Sequence, residues 1–454
     1  MEADAIVPHN TGADPVAAER AARRVLRRLR DAGFQAFFAG GCVRDMLRGE
    51  APTDFDIASD ASAAEVQGLF RRTVPVGAQF GVVLVLVDGQ PIEVATFRAD
   101  AEYVDGRHPV SVRPASPAED AQRRDFTING MFSDPETGAV WDYVGGRADL
   151  AAGVIRAIGD PAARIGEDRL RMLRAVRFAA RLGFTIEPAT FDAIRAHAAQ
   201  ITGIAWERIG EELIRILTEG NARRGFELLE QSGLLVHVLP EVQAMQGVEQ
   251  SPDYHPEGDV YEHTLRLLQQ LPAGCTETLA LGALLHDVAK RDCAARQGER
   301  ITFYGHPDVG AVRAVEICQR LRRSRETWEQ VDYLVRNHLR LVNAPQMRRS
   351  TLRRFLAEPG IDELLELARL DAGAASGDLT HYDFCRAAQA HFAADCEPLK
   401  PPPLVRGRDL LELGYPRGPL YGEILHAVEE KQLEGELASS AAALEWVRQT
   451  YPLP

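Results

Sequence analysis

Two aspartates separated by one residue, Asp54 and Asp56, are the side chains whose type and spacing most directly suggest chemistry. On a β-strand, side chains two positions apart project from the same face, so both carboxylates would point the same way. Two adjacent negative charges are costly to fold unless a cation lies between them, and oxygen ligands beside phosphates favour Mg²⁺. Paired divalent ions, roughly 3.5–4 Å apart, activate an attacking hydroxyl and stabilise a leaving pyrophosphate. The pair therefore indicates metal-assisted nucleotidyl transfer.

The segment that precedes the aspartates supplies a glycine turn of phosphate size. Residues 40–45 are GGCVRD, which places Gly40 and Gly41 just ahead of Arg44. The apolar residues 37–39 predict a buried strand, and residues 43–47 predict the start of a helix whose N-terminus can hold a triphosphate. An isolated Asp-x-Asp pair is usually a turn or a solvated surface feature, but these flanking elements favour the catalytic interpretation.

A third carboxylate lies on a predicted hairpin. Residues 82–87 form an apolar, β-branched run, Asp88-Gly89 is a hairpin signal, and residues 92–97 return as the partner strand. That second strand carries Glu93, which is a candidate third metal ligand or an orienting group. The alternative is an ordinary charge on an edge strand.

Five segments, in order along the first half of the chain, carry a family resemblance. They are GGCVRD (40–45) with DFD (54–56), RRDFTIN (123–129), DYVGG (142–146) with DL (149–150), EDRLR (167–171) with Arg174, and RIGEEL (208–213). This series resembles the tRNA nucleotidyltransferase and bacterial poly(A) polymerase family, specifically the class II CCA-adding enzymes. The family belongs to the polymerase-beta-like nucleotidyltransferase superfamily.

The resemblance implies roles for individual residues. Asp54 and Asp56 are predicted to hold Mg²⁺, and with Glu93 they form the predicted catalytic set. The predicted nucleotide-binding residues are Gly40, Gly41, Arg44, Arg124, Asp125, Asn129, Asp168, Arg171 and Arg174. Arginine suits this task because its planar fork donates to two phosphate oxygens at once.

The EDRLR segment is predicted to select the base. If residues 167–183 form one helix, Asp168, Arg171 and Arg174 fall within a sector of about 120°. An Asp–Arg pair then offers one acceptor and one donor, which match the exocyclic amine and ring nitrogen of both cytosine and adenine. The alternative is an i, i+3 salt bridge on a surface helix, worth a few tenths of a kcal/mol.

The second half of the chain has a histidine–aspartate pattern. His263, the dyad His286-Asp287 and the distant Asp371 resemble an HD phosphohydrolase domain, and His306 and His338 are predicted to complete a two-metal site. Mixed imidazole and carboxylate ligands suit Ni, Mn, Co, Fe or Zn. Lys290 is close enough in sequence to meet a phosphate. The domain is either a phosphohydrolase or a scaffold that binds tRNA.

Composition is typical of a globular protein without a membrane span. The chain has 454 residues, a net charge of −14 and six cysteines without Cys-x-x-Cys spacing, so we expect a reduced, cytoplasmic protein. RNA affinity would then come from local basic patches, such as the arginines of residues 161–184. A glycine- and proline-bearing loop at residues 103–109 resembles the segment that helps CCA-adding enzymes change from CTP to ATP.

Together these features predict an α+β protein. The expected parts are a nucleotidyltransferase head with a mixed sheet (1–155), a helical neck with the base-reading motif (156–240), an HD-type helical domain (241–395) and a helical tail (396–454). The predicted activity is template-independent addition of CMP and AMP to the tRNA 3′ end from CTP and ATP. An A-adding enzyme, a poly(A) polymerase and an enzyme whose main activity is HD phosphohydrolysis are the alternatives. The sequence leaves the oligomeric state open.

Overall fold

The computed structural model describes residues 14–77, 81–100, 112–250, 258–298, 300–394 and 399–453. The chain divides into two compact units, Met1–Pro240 and Glu241–Pro454. The predicted loop at residues 103–109 lies outside the described residues. Within the described ranges, no helix has both the length and the apolar character needed to cross a membrane.

The first unit is organised by a mixed seven-stranded sheet. Its strands, in spatial order, are β3 (Thr73–Gly77), β4 (Val82–Val87), β5 (Gln90–Thr96), β2 (Asp56–Ser59), β1 (Ala36–Ala39), β8 (Met131–Ser133) and β9 (Val140–Asp142). The β2–β5 pair is parallel, whereas the other neighbours are antiparallel. Two short pairs accompany this sheet: β6 (Arg98–Asp100) with β7 (Val112–Pro114), between β5 and β8 in sequence, and β10 (Val154–Ile155) with β11 (Thr185–Ile186), after β9. The predicted α+β class is confirmed.

Helices bury one face of this sheet and extend the unit beyond it. They are α1 (Pro15–Asp31), α2 (Gly41–Leu47), α3 (Ala63–Leu69), α4 (Pro117–Gln122), α5 (Gly146–Ala152), α6 (Pro161–Glu167), α7 (Arg171–Leu182), α8 (Pro188–His197), α9 (Trp206–Thr218), α10 (Ala222–Gln231), α11 (Leu235–Val238) and α12 (Pro240–Gln243), the last of which crosses into the second unit. Helix α1 begins at Pro15 because Asp14 accepts a hydrogen bond from Val16 N at the N-cap. Its apolar face packs with Phe38 and Ile57 in one core cluster.

One element differs from the sequence prediction. Residues 167–183 do not form a single helix, because α6 ends at Glu167 and α7 begins at Arg171. Asp168 between them is extended, with φ −145° and ψ 105°. The Asp168 side chain accepts a hydrogen bond from Leu170 N, the kind of local bond by which aspartate competes with helix continuation.

The described residues of the second unit form helices and one hairpin. Its helices are α13 (Val260–Gln269), α14 (Glu277–Leu285), α15 (Lys290–Cys293), α16 (His306–Arg320), α17 (Arg325–Asn337), α18 (Arg349–Leu356), α19 (Ile361–Ala374), α20 (Thr380–Ala394), α21 (Gly407–Glu412), α22 (Pro419–Glu434) and α23 (Ser440–Thr450). The hairpin joins β12 (Ala295–Gln297) to β13 (Arg300–Thr302). Helix α14 is apolar on every side, and its residues 279–285 are all buried, as predicted. The last three helices share a separate small core.

Candidate functional site

The sheet register brings the predicted catalytic carboxylates together. Asp56 begins β2 and is the register partner of Glu93 on the parallel strand β5. Asp54 precedes β2, so the prediction that both aspartates lie within one strand was wrong for Asp54. The alternation still holds, because Phe55 between them is buried and its ring centroid lies 5.3 Å from that of Phe38. Both aspartates therefore project away from the core.

Negative charge accumulates at this point. Loss of hydration and the negative charges of Glu93 and Asp54 together raise the pKa of Asp56 to about 7, although the nearby Arg124 opposes the rise. The Asp56 side chain remains open to the cleft, so a cation can reach it. A divalent ion would relieve the mutual repulsion of the three carboxylates, and the oxygen-only donor set fits Mg²⁺.

The glycine turn brings the backbone close to Arg124. Gly40 has φ +70°, and a Cβ there would lie 3.2 Å from Arg124 Nη1 and 3.8 Å from an Asp56 oxygen. Arg124 donates to Asp120 Oδ2 at 3.0 Å through Nη2 and to Asn129 O at 3.3 Å. The guanidinium is thus fixed beside the turn and the catalytic aspartate.

Arg44, on helix α2, is held by two polar partners. Its Nε and Nη2 donate to the two Asp45 oxygens at 2.7 and 3.0 Å, and its Nη1 donates to Asn129 Oδ1 at 2.9 Å. Asn129 Nδ2 in turn donates to Asp125 Oδ1 at 3.1 Å. Although burial opposes ionisation of Asp125, Arg174 lowers the pKa of its carboxyl to about 2. Four predicted nucleotide-binding residues are therefore connected by hydrogen bonds, in the order Arg44, Asn129, Asp125 and Arg174.

Two glycines allow close packing beside this series of hydrogen-bonded residues. A Cβ on Gly146 would lie 2.2 Å from Thr127 O, and a Cβ on Gly130 would lie 2.6 Å from Val144 Cγ2. Only glycine permits both approaches, so the 3-10 turn Thr127–Asn129 rests directly on the start of α5. This contact explains how the DYVGG segment, which is distant from the carboxylates in sequence, contributes to the same site.

The predicted base-reading residues face the same cleft but do not pair with each other. Arg208 donates to Asp168 through Nη2 at 2.8 Å and Nη1 at 3.3 Å. Arg171 donates to Glu167 Oε2 at 2.6 Å and to Arg123 O at 3.2 Å. Sequence reasoning left Arg208 out of the site, although its place in the RIGEEL segment was the available signal.

These side chains line a cleft of about 650 Å³. Nine arginines and six carboxylates contribute to its lining, so the cleft is net positive in a chain whose overall charge is −14. All predicted catalytic and nucleotide-binding residues are among the lining residues. Lining residues absent from the predicted set include Arg98, Arg123, Arg177, Phe178, Arg181 and Arg215.

The second unit holds the histidine–aspartate cluster. Two groups can each hold a metal ion, His263 with His286 and Asp371, and Asp287 with His306 and His338. His263 Nε2 lies 2.9 Å from Asp371 Oδ1, and His306 Nε2 lies 3.3 Å from Asp287 Oδ1. The two groups are adjacent, since His286 Nε2 lies 3.2 Å from Asp287 Oδ2. Residues separated by up to 108 positions are thus brought together.

The imidazoles of this cluster are oriented for metal binding. The Nδ1 atoms of His286, His306 and His338 lie 2.7–3.0 Å from backbone carbonyl oxygens. A carbonyl can only accept, so each Nδ1 carries the proton and each Nε2 is left as a metal ligand. Burial and the neighbouring His286 lower the pKa of His338 to about 4, which keeps that ring neutral. Among the described residues, buried His286 Nε2 and Asp287 Oδ1 have no hydrogen-bond partner, as expected of atoms that bind a metal.

The ammonium group of a lysine lies beside the cluster. Lys290 Nζ lies 2.7 Å from Asp287 Oδ2 and donates to Gln250 Oε1 at 2.6 Å. The position of Lys290 was expected from its spacing after the dyad. Gln250 lies 40 positions before Lys290, and the sequence gives no signal for their contact.

The chain has relatives among protein families and solved structures. Residues 36–156 match the Poly A polymerase head domain, and residues 183–246 match the Probable RNA and SrmB-binding site of polymerase A. The crystal structure of the Bacillus stearothermophilus CCA-adding enzyme in complex with CTP is 27% identical with a TM-score of 0.65, covering 96% of this chain and 98% of that one. The Thermotoga maritima CCA-adding enzyme complexed with tRNA-CCA, at 19% identity and a TM-score of 0.58, shares the fold over 97% of each chain.

Curated relatives agree with these matches. The CCA-adding enzyme of Bacillus subtilis is 44% identical over 211 residues, 46% of this chain and 53% of that protein. The chain spans little more than half the length of several relatives it matches, including 57% of the Limosilactobacillus fermentum enzyme. The CCA-adding enzyme of Pediococcus pentosaceus is matched over a longer stretch, at 36% identity across 68% of this chain and 81% of that protein. On this evidence the chain belongs to the CCA-adding enzyme family.

Proposed function

We propose that this protein is a CCA tRNA nucleotidyltransferase, which adds CMP and AMP from CTP and ATP to the tRNA 3′ end without a nucleic-acid template and releases pyrophosphate. The observation that carries the proposal is the convergence of Asp54, Asp56 and Glu93 on a net-positive cleft, in a member of the CCA-adding enzyme family. Partner classes follow from it: tRNA, CTP and ATP.

Asp54 and Asp56 would hold Mg²⁺ and Glu93 would orient or assist them. Bound there, the ion supplies charge neutralisation for an attacking hydroxyl and a leaving pyrophosphate. The carboxylates would also orient the terminal tRNA hydroxyl toward the α-phosphate. The chain itself supplies the rest of the charge, through the fixed guanidinium groups of Arg44, Arg124 and Arg174.

The glycine turn would admit the triphosphate. Gly40 and Gly41 leave backbone space beside the carboxylates, and Arg124 closes that space from the other side. Fixed donors around a developing negative charge need no reorganisation during the reaction, which is the main source of rate in phosphoryl and nucleotidyl transfer.

Asp168 and Arg171 would select the base. Each is already oriented by another charged residue, Asp168 by Arg208 and Arg171 by Glu167. Neither has to break a bond to the other before contacting a base. A carboxylate acceptor beside a guanidinium donor complements cytosine and adenine and leaves unpaired groups against guanine and uracil.

Incorporation on tRNA that ends before CCA tests the proposal. Purified protein should add CMP from CTP alone and complete CCA with both nucleotides. Addition from ATP alone, without any addition from CTP, would instead identify an A-adding enzyme or a poly(A) polymerase.

A second activity is favoured by the histidine–aspartate cluster. We propose that the second unit is an HD-type metal-dependent phosphohydrolase domain, with His263, His286, Asp287 and Asp371 as ligands, completed by His306 and His338. The buried ligand atoms without hydrogen bonds and the adjacent Lys290 support a metal–phosphate site. The mixed nitrogen and oxygen ligands suit Ni, Mn, Co or Fe. Metal analysis of the purified protein, with phosphatase and 2′,3′-cyclic phosphodiesterase assays after metal addition, tests it; no bound metal and no hydrolysis would reduce the domain to a scaffold.

The finer organisation is also a proposal. The head would occupy residues 1–155, the helical neck 156–240, the HD domain 241–395 and the tail 396–454, and the protein would act in the cytoplasm, where tRNA and nucleoside triphosphates meet. Expression of residues 1–240 alone, followed by a thermal unfolding measurement, would show whether the first two parts fold without the others.

A further inference from the structure

Three arginines of the cleft surround one aromatic ring. The guanidinium carbons of Arg44 and Arg174 each lie 5.3 Å from the ring centroid of Phe178, and that of Arg177 lies 4.2 Å away. Phe178 is 5% exposed, and its exposed part lines the cleft. At these distances the ring quadrupole attracts a cation, most strongly where water is excluded.

Each of these guanidinium groups is also tied to its own carboxylate. Arg44 pairs with Asp45 at 2.7 Å and Arg174 with Asp125 at 2.6 Å. Arg177, which is 2% exposed, pairs with Glu212 at 2.7 Å. Every arginine is therefore fixed at two points, one on a carboxylate and one on the shared ring.

Ion pairs and hydrogen bonds connect these carboxylates and arginines into a closed circuit around Phe178. Glu212 lies 3.7 Å from Arg174 as well as beside Arg177, and Glu219 connects Arg177, at 3.1 Å, to Arg181, at 3.7 Å. Arg181 lies 3.7 Å from Asp45, and the Asn129 bonds join Asp125 to Arg44. The circuit links α2, the Thr127–Asn129 turn, α7 and α9.

We propose that Phe178 is a positioning residue for nucleotide triphosphate binding, because it spaces and orients the guanidinium groups of Arg44 and Arg174. Hydrogen bonds to Asp45, Asn129 and Asp125 fix the edges of the Arg44 and Arg174 guanidinium groups. The ring supports the planar faces of these groups, so that the donors are held in place before substrate arrives. This inference rests on the proposed nucleotidyltransferase function and adds a residue outside the predicted site.

A matched pair of aromatic substitutions tests the proposal. Phe178→Leu keeps a buried apolar side chain but removes the ring face, whereas Phe178→Tyr keeps it. The control is Phe126→Leu, since Phe126 is also buried and packs edge-to-face with Phe178, with ring centroids 5.9 Å apart. Thermal unfolding of all variants separates lost stability from lost positioning.

The expected result is a change in binding rather than a general loss of activity. Phe178→Leu should raise KM for both CTP and ATP by about tenfold, the effect of one desolvated cation–π contact, and should weaken competitive inhibition by inorganic tripolyphosphate to the same extent. Phe178→Tyr and Phe126→Leu should keep both constants near those of the parent protein. Similar tripolyphosphate inhibition for Phe178→Leu and the parent would overturn the proposal, and an unequal change for CTP and ATP would assign the ring to base stacking instead.

The two proposals fail in different ways. If the parent protein adds no nucleotide to tRNA, the nucleotidyltransferase function is wrong, but direct binding of tripolyphosphate to Phe178→Leu and parent protein still decides the role of the ring. If the parent is active and Phe178→Leu binds tripolyphosphate equally well, only the positioning role is wrong.

Discussion

Charged side chains are paired differently in the cleft of the first unit and in the histidine–aspartate cluster of the second. In the cleft, Asp45, Asp125 and Asp168 pair with arginines, whereas Asp54, Asp56 and Glu93 converge on one point. In the cluster, the ligands face one another and are buried apart from the half-buried Asp371, with Lys290 as the nearby cation. Fixed cations suit a site that receives a polyanion, whereas converging buried ligands suit a site that keeps a metal.

The two sites also differ in the atoms that they offer to a metal ion. The cleft offers only oxygen donors to a metal and remains open, which fits an ion that arrives with its nucleotide. The cluster offers imidazole nitrogens whose Nδ1 atoms are committed to backbone carbonyls, which fits a retained transition metal. The two sites should therefore respond independently to substitution and to metal.

Removal of the cleft carboxylates should have the largest effect. The double substitution Asp54→Asn with Asp56→Asn keeps the shapes of the side chains but removes the charge proposed to hold Mg²⁺, so nucleotide incorporation into tRNA should fall to background. Phosphohydrolase activity of the second unit should persist. Asp88→Asn, a surface aspartate paired with Arg24, is the control and should retain incorporation. Substantial incorporation by the double variant would place the catalytic metal elsewhere.

Disruption of the cluster should give the reciprocal result. Asp287→Asn removes the charge shared by His286, His306 and Lys290, so bound transition metal and phosphohydrolase activity should both be lost. CTP and ATP incorporation should stay within about twofold of the parent, because none of the cluster residues lines the cleft. The exposed His426→Gln variant controls for loss of a histidine in the same unit. Metal content by mass spectrometry and hydrolysis assays give the two readings; a parallel loss of incorporation would show that the sites are coupled.

Changes at the base-reading pair should be smaller and specific. Arg171→Lys loses the planar fork, so discrimination of CTP and ATP against UTP and GTP should fall by about ten- to a hundredfold, the value of one or two hydrogen bonds to a charged group. Arg208→Gln should weaken discrimination less, since it releases Asp168 without removing it. Arg169→Gln, whose partner is Gln200 and which does not line the cleft, is the control. Misincorporation assays with single nucleotides measure all three, and unchanged selectivity in Arg171→Lys would refute base reading by this residue.

Local sequence signals predicted much of the first unit. The strands predicted at residues 37–39 and 82–87, the helix after the glycine turn and the hairpin at Asp88-Gly89 each depend on short-range patterns, and the structure contains all of them. The sequence made Glu93 a candidate third ligand, whereas its position beside Asp56 comes from the pairing of two separate strands. The helical tail and the buried helix α14 were likewise visible in the sequence.

Long-range contacts were not predictable from a single sequence. The break at Asp168 arises because its side chain bonds Leu170 N and Arg208, a partner 40 positions away, and helical periodicity carries no information about such partners. The arginine pattern of α7 suggested an exposed basic face, yet Arg177 is buried because Glu212 and Glu219 from α9 meet it. The encirclement of Phe178 has the same origin, since Arg44 lies 134 positions from it.

Incubating the purified protein with tRNA truncated before CCA, Mg²⁺ and either CTP, ATP or both is the decisive test of the proposed nucleotidyltransferase activity. We expect addition of CMP from CTP alone and completion of CCA only when both nucleotides are present. Absence of any incorporation from CTP, in a preparation that is folded and supplied with Mg²⁺, would contradict it.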